Sequence, residues 1–115
     1  MIKSSAPTRI DLAGGTLDIW PLHLFFGNAP TLNAAIDLYA TVEIILRKDK
    51  RIVLRSRDLN LEDSFSSLSA LSENHPLELI TRTLKFYAPK SGLEISTSCQ
   101  APQGSGIGGS SALNI

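Results

Sequence analysis

The sequence contains a single cysteine and has no net charge at pH 7. Cys99 is the only cysteine among 115 residues, which excludes a disulfide framework, a cysteine-ligated zinc site and a CxxC redox pair. Lys and Arg together number 11, and so do Asp and Glu, so the chain has no excess of basic residues to meet nucleic-acid phosphates. We therefore expect no nucleic-acid partner, although a compact anion site built from backbone amides is compatible with zero net charge.

Long apolar runs are missing as well. No stretch reaches the roughly 18 apolar residues that a membrane-spanning helix needs, and residues 1–5 lack the apolar core of a signal peptide. The sequence therefore predicts a cytoplasmic protein with no membrane partner. With 43% hydrophobic and 19% charged residues, its composition is that of a globular protein, and its length predicts one small domain.

Alternating patterns predict several strands. Polar and apolar side chains alternate over residues 2–13 and again over 93–99, and an Ala-rich segment at 31–38 is a further strand candidate. Residues 41–46 and 51–55 also alternate, and a polar turn at 48–50 separates them, which predicts a β-hairpin. Residues 16–30 are predicted as a loop or short helix, and residues 58–74 as an irregular surface segment with room for a short strand.

A helix is predicted to follow these strands. Pro76 suits its first position, where the missing N–H would have no partner in any case, and Pro89 stops it. Helical spacing gives this segment one apolar face. The residues of that face are Leu77, Ile80, Leu84 and Tyr87. The predicted order of elements is a mixed α+β pattern.

A glycine cluster after the last predicted strand is the most informative stretch. It holds four glycines within six residues and leads into the first turn of another helix. These glycines are Gly104, Gly106, Gly108 and Gly109. Because glycine adopts positive φ and lets a ligand approach closely, several N–H groups can face one concavity beside a helix N-terminus. That arrangement binds phosphate without any basic side chain.

Several general motifs compete for this stretch. Gly104, Gly106 and Gly109 fit GxGxxG, but a dinucleotide-binding fold places that motif after its first strand and an acidic residue about 20 positions later. The spacing also fits part of a P-loop, yet Ser110 stands where the P-loop lysine belongs. The GxSxG nucleophile elbow does not fit. A flexible connection between strand and helix is the remaining alternative.

Two motifs resemble those of the GHMP kinases, the family of galactokinase, homoserine kinase, mevalonate kinase and phosphomevalonate kinase. Residues 102–112, PQGSGIGGSSA, resemble its PxxxGLGSSA phosphate-binding motif, with Ile107 in place of leucine and Gly109 in place of the first serine. A one-residue insertion would instead align Ser110 and Ser111 with the serine pair. Residues 6–18, APTRIDLAGGTLD, resemble the N-terminal APxRIxxAGGxxD motif, which is closest to heptose-phosphate and fucose kinases, and residues 33–37 resemble the same subgroup.

The resemblance implies a fold and a reaction. The fold is the α+β ribosomal protein S5 domain 2-like fold, with residues 1–115 as the N-terminal part of an ATP-binding domain. The reaction is transfer of the γ-phosphoryl group of ATP, with Mg²⁺, to a sugar or sugar phosphate. The family's catalytic aspartate, metal-binding glutamate and third motif lie downstream of its phosphate loop, so the 115-residue chain alone is expected to be an inactive fragment.

The resemblance also implies residue roles at the nucleotide. Residues of the glycine stretch would bind ATP, with Ser110 on Mg²⁺ and Ser111 as the alternative ligand. Both serines could instead only cap the helix. The implied ATP-binding residues are Pro102, Gly104, Ser105, Gly106, Ile107, Gly108, Gly109, Ser110 and Ser111.

Residues of the N-terminal motif would act at the substrate. Arg9 would stabilise the transferring phosphoryl group or orient the catalytic base, unless it is only an edge cation paired with Asp11. Asp18 would accept hydrogen bonds from sugar hydroxyls, unless it is a turn or capping residue. Gly15 and Thr16 complete the implied substrate site, and Thr16 departs from the acidic–His pair of galactokinase.

The sequence also allows expectations for its histidines and aromatic residues, and it leaves two alternative functions. His23 and His75 lie far apart in sequence and are not expected to bind metal, and Trp20, Phe25 and Phe26 are expected in a core or interface, or lining the substrate pocket. A homodimer is possible because an incomplete sheet exposes an edge. The alternative functions are a non-catalytic nucleotide-binding module and a dinucleotide-dependent redox domain.

Overall fold

The computed structural model describes residues 1–15, 17, 19–27, 30–72, 74–102 and 104–113. Within these ranges the chain forms five strands, three α-helices and one short 3₁₀ helix. In chain order they are β1 (Ile2–Ala13), α1 (Leu22–Phe26), β2 (Leu32–Leu46), β3 (Ile52–Ser56), β4 (Leu61–Phe65), the 3₁₀ turn (Leu68–Ala70), α2 (Glu78–Tyr87), β5 (Leu93–Cys99) and α3 (Gly109–Leu113). The predicted α+β class is confirmed, and among the described residues no helix is long and apolar enough to cross a membrane.

The strands form one sheet in the order β1-β2-β5-β3-β4. β5 lies antiparallel to β2 and parallel to β3, and the remaining neighbours are antiparallel. The strands predicted at 2–13 and 93–99 are confirmed with those bounds. The separate strands predicted at 31–38 and 41–46 are one continuous β2, and a short strand, β4, lies within the segment predicted to be irregular.

The predicted hairpin of residues 41–46 and 51–55 is wrong. β5 lies between β2 and β3, so these two strands never pair with each other. The turn between them bonds to the start of β5 instead: the Arg47 N–H donates to the Gly92 carbonyl at 2.9 Å, and the Gly92 N–H donates to the Asp49 carbonyl at 3.0 Å. A Cβ on Gly92 would stand 2.5 Å from the Asp49 and Arg51 carbonyl oxygens, so only glycine fits this crossing.

The main core lies between the sheet and α2. It is a cluster of buried aliphatic side chains from β3, β5, α2 and the segments before α2. The buried members are Ile52, Leu54, Leu71, Leu77, Leu84, Leu93 and Ile95. α2 begins two residues after Pro76, and its expected apolar face is confirmed for Leu77 and Leu84 and partly for Ile80. Tyr87, the last residue of α2, lies beyond the buried cluster and stays exposed.

A second, smaller cluster lies under α3. Ala6 of β1, Ala40 of β2 and Ala112 of α3 are buried against one another, with Cys99 packed beside them. Because these side chains are small, the start of α3 can approach the sheet closely. The glycine stretch that precedes α3 is therefore held beside Arg9 of β1 and the end of β5.

The opposite face of the sheet carries a network of ion pairs. Glu43 pairs with Lys3 and Arg57 across β1, β2 and the residue after β3. Glu94 of β5 pairs with Arg55 and Arg47. Hydrogen bonds from Arg47 to Asp49 and from Arg55 to Glu62, reinforced by the nearby Glu94 charge, raise the pKa of both arginines above its ordinary value. Exposed pairs of this kind contribute little each, but together they keep this face polar while the other face is packed.

Asp49 gives this network a dependence on pH. The Arg47 guanidinium donates two hydrogen bonds of 2.8 Å to its carboxylate, and this lowers the pKa of Asp49 to about 2. Because the folded pKa lies below that of the unfolded chain, about 3.9, the carboxylate stabilises the fold above about pH 4. That contribution is lost as the pH falls towards 2.

We therefore expect Asp49→Asn to lower the free energy of unfolding at pH 6, and the difference from wild type to shrink as the pH falls from 5 to 2. Urea unfolding at a series of pH values measures this difference. Asp37→Asn is the matched control, because Asp37 is exposed on β2 and makes no ion pair among the described residues. A difference for Asp49→Asn that does not change with pH would contradict the assignment.

Candidate functional site

The glycine loop, residues 102–109, is open on one side. A turn closed by the Ser105 N–H and the Pro102 carbonyl, 3.1 Å apart, begins it. Gly104, Gly106 and Gly108 have φ values of 75°, 72° and 75°, a region that L residues with a Cβ rarely adopt. A Cβ on Gly104 or Gly106 would meet no atom within 4 Å, so a ligand can approach the backbone there. Left-handed residues at alternate positions favour amides that converge on an anion.

α3 begins where the loop ends. Its first internal bond runs from the Ala112 N–H to the Gly108 carbonyl at 3.0 Å. The amides at 109–111 therefore have no partner within the helix, as at any helix start. Ser111 is exposed at this end. Ser110 belongs to the first turn of α3, and the position of its side chain lies outside what the structure describes.

β1 anchors the glycine loop through one backbone hydrogen bond. The pairing of β1 with β2 shifts register between Pro7 and Arg9, and Thr8 is buried there with its hydroxyl donating to the Leu38 carbonyl at 2.9 Å. The Arg9 N–H donates to the Ile107 carbonyl at 3.1 Å. The irregularity in the sheet thus coincides with the contact that joins the two sequence motifs.

The Arg9 side chain lies beside the same loop. A Cβ on Gly108 would stand 3.7 Å from its Cγ, while its Nε is 3.4 Å from the Asp11 Oδ1. The side chain is 53% exposed, so the guanidinium is accessible from solvent. Arg9 therefore forms the ion pair with Asp11 and also lies beside the glycine loop. Its role in a reaction stays a prediction.

The turn after β1 lies next to this pair. Gly14 has a φ of 78°, and a Cβ there would be 2.2 Å from the Pro30 carbonyl oxygen. A Cβ on Gly15 would be 2.6 Å from the Asp11 Oδ2, so Gly15 packs directly against Asp11. The structure thus brings Gly15 to the Arg9–Asp11 pair. Thr16 and Asp18 lie outside the described residues, and their substrate roles stay predictions.

A cavity of about 740 Å³ adjoins the glycine loop. The loop and Ser111 form one part of its lining, the turn after β3 and the start of α2 form a second part, and the end of β5 lies between them in the sequence of the lining residues. Members of that second part include Asp58, Leu59, Leu77, Glu78, Leu79 and Ile80. Asp58 is fixed at the end of β5, because its Oδ1 accepts from the Ser56 hydroxyl and the Cys99 N–H, both at 3.3 Å. Local periodicity did not indicate Asp58 and Leu59 as part of this wall, since residues 58–74 show none.

The remaining candidate residues lie elsewhere. His75 is buried and bonded to Asp63 and the Leu77 N–H, and no group of three or more His, Cys, Asp or Glu among the described residues could hold a metal ion. Trp20, Phe25 and Phe26 are 74%, 77% and 58% exposed, so the expectation of a core position is wrong for the part described. They do not line the cavity at the glycine loop.

The comparisons with known proteins agree on a family of kinases. No protein-family model matches the chain. It is 33% identical over 119 residues to the D-glycero-alpha-D-manno-heptose 7-phosphate kinase of Campylobacter jejuni, spanning 99% of this chain and 35% of that protein. A D-glycero-D-manno-heptose 1-phosphate kinase structure from Bacteroides thetaiotaomicron superposes with a TM-score of 0.82 at 34% identity, over 96% of this chain and 38% of that one.

A more distant structure supports the fold alone. The mevalonate kinase of Methanococcus jannaschii superposes with a TM-score of 0.70 at 24% identity, over 97% of this chain and 36% of that one. The chain therefore spans about a third of the length of the relatives that it matches. Its sequence and fold match the N-terminal portion of GHMP kinases.

Close packing against Cys99 explains why position 109 is a glycine. A Cβ there would stand 3.0 Å from the Cys99 Sγ, which is closer than ordinary van der Waals contact. The departure from the serine of the GLGSSA motif therefore accompanies a cysteine at the end of β5. A larger side chain at position 109 should therefore be tolerated better when residue 99 is made smaller at the same time.

We expect Gly109→Ala to lower the free energy of unfolding by about 1–2 kcal/mol, the usual cost of overpacking. Cys99→Ala combined with Gly109→Ala should recover most of that loss, because the thiol is the atom in the way. Urea unfolding of wild type, both single variants and the double variant gives the coupling free energy. Strictly additive effects would show that the Cys99 thiol does not constrain residue 109.

Proposed function

We propose that residues 1–115 form the N-terminal part of the ATP-binding domain of a sugar-phosphate kinase, and that the cavity at the glycine loop takes ATP. The observation that carries this proposal is the open loop of left-handed glycines anchored to Arg9 of β1. The loop offers backbone amides to an anion, and the anchoring residue offers a guanidinium. Both features suit a polyphosphate, for which the chain needs no net positive charge.

The phosphate end of the nucleotide belongs at the loop and at the start of α3. Mg²⁺ is held in phosphotransferases by one or two protein oxygens together with phosphates and waters. A serine hydroxyl at the start of α3 fits that ligand set, with Ser110 the expected ligand and Ser111 the alternative. When bound, Mg²⁺ would neutralise phosphate charge, and Arg9 would add to that stabilisation.

The nucleoside end belongs against the second part of the lining. Leu59, Leu77 and Ile80 offer apolar surface to a base. The Asp58 carboxylate, fixed by Ser56 and the Cys99 N–H, offers an acceptor to ribose hydroxyls. A cavity of this size is within the range that binds small molecules.

A dinucleotide-dependent redox domain is less well supported. Its glycine motif follows the first strand of a parallel βαβ unit. Here the glycine loop follows β5, whose neighbours are one antiparallel and one parallel strand. The similar proteins are also named as kinases. A non-catalytic nucleotide-binding module is the second candidate, since the glycine loop and its cavity would bind a nucleotide in that case as well.

The acceptor substrate is proposed from the relatives and from β1. The two most similar proteins above are named as kinases of heptose phosphates. We place a sugar phosphate near the end of β1, at Gly15 and Arg9, with Thr16 and with Asp18 as the acceptor for sugar hydroxyls. The cytoplasm, where ATP and sugar phosphates occur together, is the proposed location.

Binding at the loop is tested by Gly106→Ala. Its Cβ would enter the open space over the loop in a left-handed conformation, so we expect at least a tenfold loss of Mg·ATP affinity in calorimetry, about 1.4 kcal/mol. Gly27→Ala is the matched control, because Gly27 also has a positive φ, 62°, and open space around it, but does not line the cavity. Equal affinities of Gly106→Ala and wild type would contradict the proposed site.

The reaction is tested with a panel of sugars and sugar phosphates, using ADP formation as the measurement. We expect the 115-residue chain to bind Mg·ATP without transferring its phosphoryl group, and a longer protein that contains the family's catalytic aspartate to phosphorylate a sugar phosphate. Phosphoryl transfer by residues 1–115 would contradict the first expectation. Binding of NAD in preference to ATP would favour the redox alternative.

A further inference from the structure

We propose that His75 is a positioning residue, which holds the start of α2 against the nucleotide cavity and thereby sets nucleotide affinity. This inference rests on the function proposed above, because it needs the cavity to bind nucleotide. It concerns a side chain that neither sequence motif contains. The argument starts from the burial of His75 and the two hydrogen bonds that its ring makes.

The His75 ring is almost fully enclosed, with its side chain 5% exposed. Its Nδ1 accepts from the Leu77 N–H at 3.0 Å, and its Nε2 lies 2.9 Å from the Asp63 Oδ2. Because Nδ1 accepts, the neutral ring carries its proton on Nε2 and donates it to the carboxylate. Phe65 packs edge-on to the ring with centroids 5.5 Å apart.

These contacts connect β4 to the residues that lead into α2. Asp63 and Phe65 belong to β4, the edge strand of the sheet, while Leu77 is the residue that leads into α2. The N-cap of α2 makes no side-chain capping bond of its own. The His75 ring instead accepts the N–H of the N-cap residue, Leu77, from two residues before it, and its other nitrogen links this residue pair to β4.

The segment held in this way is the wall of the cavity. Residues 76–80 all line the cavity at the glycine loop, and they begin directly after His75. Leu77 also contributes to the main core, and its carbonyl accepts the first bond of α2, from the Thr81 N–H at 3.0 Å. A loss of the Leu77–His75 bond would free the N–H that orients this wall. The expected consequence is a wider, less ordered nucleoside end of the cavity.

Three variants separate the bonds of the ring. His75→Phe keeps the ring and the Phe65 contact but removes both hydrogen bonds. His75→Asn keeps an oxygen that can accept from the N–H two residues on, as asparagine does in turns, but it is too short to reach Asp63. Asp63→Ala removes only the bond from the ring to β4, and it changes a half-exposed side chain.

The measurement is the dissociation constant of Mg·ATP by calorimetry, together with hydrogen exchange of the amides at 77–80. We expect His75→Phe to weaken binding about tenfold, the usual effect of losing a buried hydrogen bond, and to speed exchange at 77–80. His75→Asn should bind within about threefold of wild type. Asp63→Ala should be intermediate and tests the proposal even where His75→Phe does not fold.

A matched control separates positioning from general stability. Ile52→Val removes one methyl group from the core at β3 and leaves both hydrogen bonds of the His75 ring in place. We expect it to lower the free energy of unfolding while leaving the Mg·ATP dissociation constant unchanged. If the wild-type chain binds Mg·ATP and both His75→Phe and Asp63→Ala bind it with the same dissociation constant, this proposal is overturned and the proposed function is not. Absence of Mg·ATP binding in the wild-type chain would overturn both it and the proposed function.

Discussion

The hydrogen bond from the Arg9 N–H to the Ile107 carbonyl is the contact on which the candidate site depends. It joins residues 98 positions apart in sequence and brings the N-terminal motif to the glycine loop. A register shift in β1 lies beside it, and because β1 is an edge strand of the sheet, N–H groups on its outer side are available to partners outside the sheet. Without this contact, the loop would be tied to the sheet only through the turn at Pro102 and the start of α3.

The rest of the fold serves to hold the two partners of that bond. β5 occupies the centre of the sheet between β2 and β3, and its end leads directly into the glycine loop. The small side chains of Ala6 and Ala40 let α3 lie close to β1 and β2. Packing is thus concentrated on one face, while ion pairs cover the other face.

Much of the fold could be predicted from local patterns, and the errors have a common cause. The strands at 2–13 and 93–99 and the helix after Pro76 follow from periodicity, which depends on burial of one face. The hairpin of 41–46 and 51–55 was wrong because alternation identifies a strand but not its partner. The insertion of β5 depends on Gly92 fitting against Asp49 and Arg51, a long-range contact that no local pattern contains.

In the candidate site, too, some features follow from the local sequence and others arise only from long-range packing. The left-handed backbone of the glycine loop was predictable, because four glycines within six residues favour it. The role of Arg9 was implied only by the resemblance of residues 6–18 to a kinase motif, and it stays a prediction. Asp58 and His75 were not predictable, because their position beside the cavity arises from the packing of β3, β4 and α2. The side chain of Ser110 and the residues Thr16 and Asp18 lie outside the described structure, so their roles still rest on the sequence motifs.

The most direct test of the central claim is an NMR titration of the isotopically labelled chain with Mg·ADP, followed through the backbone amides. If the glycine loop and β1 form one phosphate site, the amides at 104–111 and that of Arg9 should shift together and saturate with one dissociation constant. Shifts confined to a distant basic surface, such as that around Lys50 and Lys90, with the loop amides unchanged, would contradict it.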